Sequence, residues 1–76
     1  MTEREELYND LHGNLEEAEG SHRNRAKDRA DAAIELIRIG SYKAAILALA
    51  DAQTLTEIAD ECDMQMQMLE VNYANN

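Results

Sequence analysis

Four sulfur-bearing side chains fall close together in the sequence: Cys62, Met64, Met66 and Met68. A thiolate with thioethers is a soft ligand set of the kind that holds Cu(I). On a helix, however, the three methionines do not share a face. Methionine at such spacing reads instead as core or as an adaptable contact surface. His12 and His22 stand ten residues apart, not the three or four that align two imidazoles for a metal on one helical face. Glu19 and His22 could share a face, but they would supply only two ligands. Carboxylates are abundant, yet there is no glycine-rich phosphate loop, no G-x-S-x-G and no H-E-x-x-H. A chain this small also has little room for a pocket that would shift carboxylate pKa values. The expectation is a non-enzymatic protein with no metal and no cofactor.

The run from His22 to Arg29 is the one candidate nucleic-acid footprint, with Arg23, Arg25, Lys27 and Arg29 packed into it. His22, Arg25 and Arg29 would line one helical face, and Arg23 and Lys27 another. No aromatic interleaves for base stacking, and the chain as a whole is strongly acidic. Direct nucleic-acid binding through residues 22–29 is therefore the weaker expectation. These bases pair more naturally with acids folded alongside: in a hairpin turning at Gly40, residue 23 lies near residue 58, within reach of Glu57, Asp60 and Glu61.

The acids themselves set the wider frame. Sixteen Asp and Glu against seven Lys and Arg leave a formal charge of −9 on 76 residues. Residues 1–20 carry −6, residues 21–43 carry +3, and residues 44–76 carry −6 with no base at all. A basic segment between two acidic ones implies partial self-neutralisation on folding. Hydrophobic residues make up 45% of the chain, too many for a disordered acidic tail. No apolar run reaches the ~18 residues of a membrane span. MTEREEL lacks the layout of a signal peptide, and a lone Cys62 fits a reducing, cytoplasmic setting.

The elements that position these groups are helical. Proline is absent, and good helix formers dominate throughout. Gly40-Ser41 is the clearest boundary, a glycine C-cap followed by a serine N-cap. Ala26, Ala30, Ala33, Ile34 and Ile37 recur at helical spacing before it. Tyr42, Ala45, Ile46, Leu49, Ala52, Leu55, Ile58, Ala59, Cys62, Met66, Leu69 and Tyr73 continue the period after it. The sequence predicts an all-α fold: an αα-hairpin turning at Gly40-Ser41, with an additional N-terminal helix. The helices fall at about 3–19, 21–39 and 42–73, in a single domain over 1–76. Two alternatives stay open. The N-terminal half could run straight through Gly20 to Ile39, although a break there would set Glu16, Glu17 and Glu19 beside Arg23 and Arg25. The strict alternation from Cys62 to Met68 could also be a strand, although helix is favoured because Cys62, Met66, Leu69 and Tyr73 share one face.

Within this pattern Ala33, Leu36, Gly40, Tyr42, Ala45, Leu49 and Ala52 follow the small-and-large spacing of a helix pair. This stretch resembles one tetratricopeptide-type repeat, which implies a tight antiparallel hairpin there. It covers about a third of the chain, lacks the proline after the second helix, and has no second copy to stack on. No peptide-binding role is carried over from it.

Apolar residues near Gly40 outnumber what two facing helices can cover. Leu47 and Leu49 point about 160° apart with Ile46 and Ala50 between them. Ile34, Leu36, Ile37 and Ile39 spread similarly on the preceding helix. Either Leu7, Leu11 and Leu15 of the N-terminal helix cover the rest, or a second copy or another protein does. The functional expectation is binding to a protein partner, as an adaptor or stoichiometric inhibitor. Its candidate surface is Ile39, Tyr42, Ile46 and Leu47 with Glu57, Asp60 and Glu61. A basic-grooved nucleic-acid or defence enzyme, as in phage-type inhibition of a host, would be a natural target. The competing expectation is a structural homo-oligomeric bundle.

Overall fold

The computed structural model describes residues 2–74; residues 1, 75 and 76 of the expected 1–76 domain lie outside the described residues. The chain forms two helices, α1 (Glu3–Arg38) and α2 (Tyr42–Ala74). They pack along each other as a rod whose backbone measures 56 × 18 × 11 Å. There is no strand among the described residues. The Cys62–Met68 alternation is therefore helix.

Local chemistry accounts for both helix starts and the turn. Thr2 caps α1, its hydroxyl oxygen accepting from the Glu5 amide at 3.1 Å. Glu3, Glu5 and Glu6 fill the first turn, where negative charge complements the helix dipole. At the far end Gly40 adopts φ +82°, a left-handed conformation that costs an L side chain. The Ser41 amide then donates to the Leu36 carbonyl at 2.8 Å and the Gly40 amide to Ile37 at 3.0 Å. This is the paired bonding of a Schellman ending, and it satisfies carbonyls the helix would otherwise leave open. Ser41 immediately precedes α2, its carbonyl accepting from the Ala45 amide at 3.0 Å.

The expected break at Gly20 is absent: residues 3–38 run as one helix of 36 residues. A helical glycine costs only about 1 kcal/mol against alanine. That is too little to interrupt a helix supported along its length by a partner. Nor do the acids need to fold back to meet the bases, because Arg23 reaches Asp60 on α2 at 3.0 Å. Each helix is also as long as a whole tetratricopeptide-type repeat of about 34 residues, so the resemblance goes no further than the hairpin turn.

The seam between the helices is built on small residues. Ala45, Ala52, Ala59, Met66 and Tyr73 recur every seven residues on α2, with Ala48, Leu55, Cys62 and Leu69 interleaved. That spacing keeps one edge of α2 against α1 along its whole length. The buried residues are Ala26, Ala33, Ala45, Ala48, Ala52, Ala59 and Met66. No side chain larger than alanine is fully sealed from solvent among the described residues. Alanine lets the helix axes approach closely, yet each one removes little apolar area from water.

At the chain ends an aromatic clasp closes the seam. Tyr8 and Tyr73 stack with ring centroids 4.3 Å apart. The Arg4 guanidinium lies 4.6 Å from the Tyr73 ring centre and donates to the Tyr73 carbonyl at 2.9 Å. His12 sits against Tyr8 and bonds Glu70 at 2.8 Å. These contacts hold together two chain ends that carry little positive charge of their own.

Candidate functional site

Because alanine fills most of the seam, most of the large apolar side chains stand outside it. Leu7, Leu11, Ile58, Met64, Met68 and Val71 are exposed, as are Ile34, Ile37, Ile39, Tyr42, Ile46, Leu47 and Leu49 around the turn. The N-terminal residues do not act as a cover. Leu7 and Leu11 are themselves exposed, and only Leu15 is half-buried.

Helical rows sort these residues into two faces, apart from Met64 and Val71 on the outer edge of α2. On α2, Tyr42, Ile46 and Leu49 stand at steps of four and three, one row on the helix surface. Continuing that row by the same steps reaches Asp60. On α1, Ile37, Ile34 and Ala30 begin a row that reaches Arg23. Arg23 and Asp60 are bonded to each other, so both rows line one face, here called the front. Its turn end is the apolar cluster Ile34, Ile37, Tyr42, Ile46 and Leu49. Its other half is polar and charged.

The back face is assembled in the same way. One groove is lined by Arg25, Asp28 and Arg29 of α1 with Asp51, Thr54 and Leu55 of α2, and Arg29 donates to Asp51 at 3.2 Å. A second groove is lined by Leu11 and Leu15 with Gln65, Met68, Leu69 and Asn72. Leu47, Ile58, Glu61 and Met68 lie along this α2 row, and Leu11 and Ile39 along its α1 counterpart. Apolar residues on the back are spread along the rod rather than gathered at one end.

The seven residues singled out from the sequence are thereby divided. Tyr42 and Ile46 lie together on the front, whereas Ile39 and Leu47 flank the turn on the back. Asp60 is on the front in its pair with Arg23. Glu61 is on the back, accepting from Gln65 at 3.0 Å. Glu57 lies on the outer edge of α2, accepting from Gln53 at 3.3 Å. The acidic trio begins fifteen residues beyond Tyr42, about 22 Å along the helix, so apolar and acidic groups form separate surfaces. Ile34, Ile37 and Leu49 belong with Tyr42 and Ile46. Following each helix row out from the turn would have added them.

Electrostatics sharpen this separation. The turn half, residues 21–57, carries six bases and five acids; the open half, residues 1–20 and 58–76, carries one base and eleven acids. Within the basic run Arg23 binds Asp60 and Glu19 and Arg29 binds Asp51. The hydrogen bond to Asp60 holds the Arg23 guanidinium still more firmly protonated than usual. His22 is half-buried, its Nδ1 donating to the Ala18 carbonyl at 2.7 Å. The run is thus partly committed to holding the hairpin.

The sulfur cluster separates too. Met66 is buried in the seam and Cys62 half-buried, while Met64 and Met68 are exposed. Among the described residues no group of three or more His, Cys, Asp or Glu is placed to hold a metal ion. No helix among them is long and apolar enough to cross a membrane. Comparison with known proteins returns no matching family model, no matching curated protein and no matching solved structure.

Proposed function

We propose that this chain works by docking on protein, as a non-enzymatic adaptor or stoichiometric inhibitor in the cytoplasm. The observation that supports this reading is the inversion of the ordinary core. Alanines and Met66 occupy the interior, and most large aliphatic side chains stand outside it. Exposed apolar surface gathered as it is at the turn marks interaction sites. The open half supplies charge to complement it. Eleven acids against one base favour a basic surface, such as the groove of a nucleic-acid-handling enzyme, and speed encounter with it.

The test is a photo-crosslinking residue placed at Leu47 or Glu61, on the back face, in the cell that makes the protein. Each position should trap one discrete, different protein, and Asn24 in the same role should trap none. Combined Glu57→Lys and Glu61→Lys changes should weaken that complex and flatten its salt dependence. No heterologous adduct at either position, or affinity indifferent to the charge reversal, would defeat the reading.

A further inference from the structure

The front-face cluster at the turn has a more specific occupant: we infer that it seats a second copy of this chain, two-fold related, with the turn ends overlapped and the acidic ends pointing apart. The inference rests on the docking reading and names one of its partners. Area supports it first. The chain exposes 5581 Å², whereas a compact monomer of its mass, 8.6 kDa, exposes about 4,700 Å². The difference, roughly 900 Å², is spread over the whole rod, and a copy seated at the turn covers the part of it where the apolar residues are densest.

Charge then selects the arrangement. Two hairpins laid side by side in the same direction would bring together two open halves of net charge −10. Overlapping the turn ends about that cluster instead apposes residues 28–52, which carry three bases and four acids, and sends the acidic ends in opposite directions. A basic heterologous partner gains nothing electrostatically from this nearly neutral end, whereas an identical copy meets no repulsion there.

Geometry makes the cluster self-complementary. Arg29 and Asp51 meet across the seam. Ile34 and Ile46 each lie five residues nearer the turn, so they stand level with each other. Ile37 and Tyr42 flank them toward the turn, and Leu49 away from it. A two-fold axis between Ile34 and Ile46 lays each aliphatic row against its own counterpart, an isologous contact of four helices. The acidic ends then project from both sides of the dimer, each free to engage a basic partner.

The experiment combines solution mass with spin-label distances. Light scattering at micromolar concentration should give about twice 8.6 kDa for the unchanged chain. Ile34→Lys and Ile46→Lys should each weaken association by about 100-fold or more by burying an unpaired ammonium. Helicity by circular dichroism should be retained, since both positions are exposed. Leu11→Lys, on the back face, should leave the dimer intact. Spin labels at Glu17→Cys, in a Cys62→Ala background, should lie about 50 Å apart, because residue 17 is seventeen positions from the axis on each copy. A monomer throughout the range would overturn the inference, as would loss of the dimer in Leu11→Lys but not Ile46→Lys. Labels within about 20 Å, the spacing of parallel neighbours in a bundle, would overturn it as well. If the chain is a monomer that still traps a different protein at Leu47, only the second copy fails and the docking reading stands.

Discussion

Arg23 on α1 and Asp60 on α2 lie 3.0 Å apart, joining the basic run of one helix to the acidic stretch of the other. Glu19, one turn back on α1, approaches the same guanidinium at 3.5 Å. Both partners are substantially exposed, so the pair orients the helices more than it stabilises them. Arg23→Asp and Asp60→Arg should each lower the thermal midpoint, and the double exchange should restore most of it. A calorimetric double-mutant cycle checks this; additive losses would mean that the two residues do not act on each other.

Glycine positions should respond in opposite directions. A Cβ at Gly20 meets nothing within 4 Å, and the backbone there is helical. Gly20→Ala should therefore stabilise the protein by about 0.5–1 kcal/mol. Gly40 sits at φ +82°, so Gly40→Ala should cost about 1–2 kcal/mol. Urea midpoints of the two variants give the comparison directly. A loss of stability in Gly20→Ala would mean that the glycine has a role beyond its place in α1.

These two glycines also show what was legible in the sequence. Gly40 announced the turn because a following serine and a restarted apolar period agreed with it. Gly20 carried similar residues but no change of period, and no break is needed for the charges to meet: Arg23 pairs with Glu19 along α1 and with Asp60 on α2, the acid the hairpin register had put within its reach. The Cys62–Met68 alternation resolved as helix because Cys62, Met66 and Leu69 continue the seven-residue seam begun at Ala45. What could not be read was which apolar residues would be inside. Alanines and isoleucines alternate on the same helices, and only the close approach of the axes decides that Ala33 and Ala48 are buried while Ile34 and Leu47 are not. The candidate surface was divided for that reason. Its acids and apolar residues were grouped by type, whereas the helix rows assign them to different faces.

The alanine seam has little room. Ala48 and Ala59 are fully buried, and a larger side chain at either would force the axes apart. Ala48→Leu should destabilise by about 1–3 kcal/mol despite adding apolar area. Ile58→Ala, at an exposed position, should change the stability of the hairpin itself by less than about 1 kcal/mol. Denaturant titration separates the two. A stabilised Ala48→Leu would show that the helices are not closely packed there.

The open end depends on its clasp. Tyr73→Ala removes the stack on Tyr8 and the platform beneath Arg4, contacts worth about 1 kcal/mol together. Amide hydrogen exchange in residues 3–12 and 66–74 should accelerate, while residues around Gly40 keep their rates. Uniform acceleration along the rod would instead mean that the hairpin opens as one unit.

The central claim is that this hairpin, with alanine inside and large aliphatic residues outside, is completed by what docks on it. Urea unfolding of the pure chain across a hundredfold range of concentration, roughly 1–100 µM, tests it most directly. The account predicts a stability below about 5 kcal/mol at the dilute end and a midpoint that climbs with concentration as copies cover each other. A midpoint that stays fixed, with stability well above that value, would contradict it by showing that the alanine seam suffices alone.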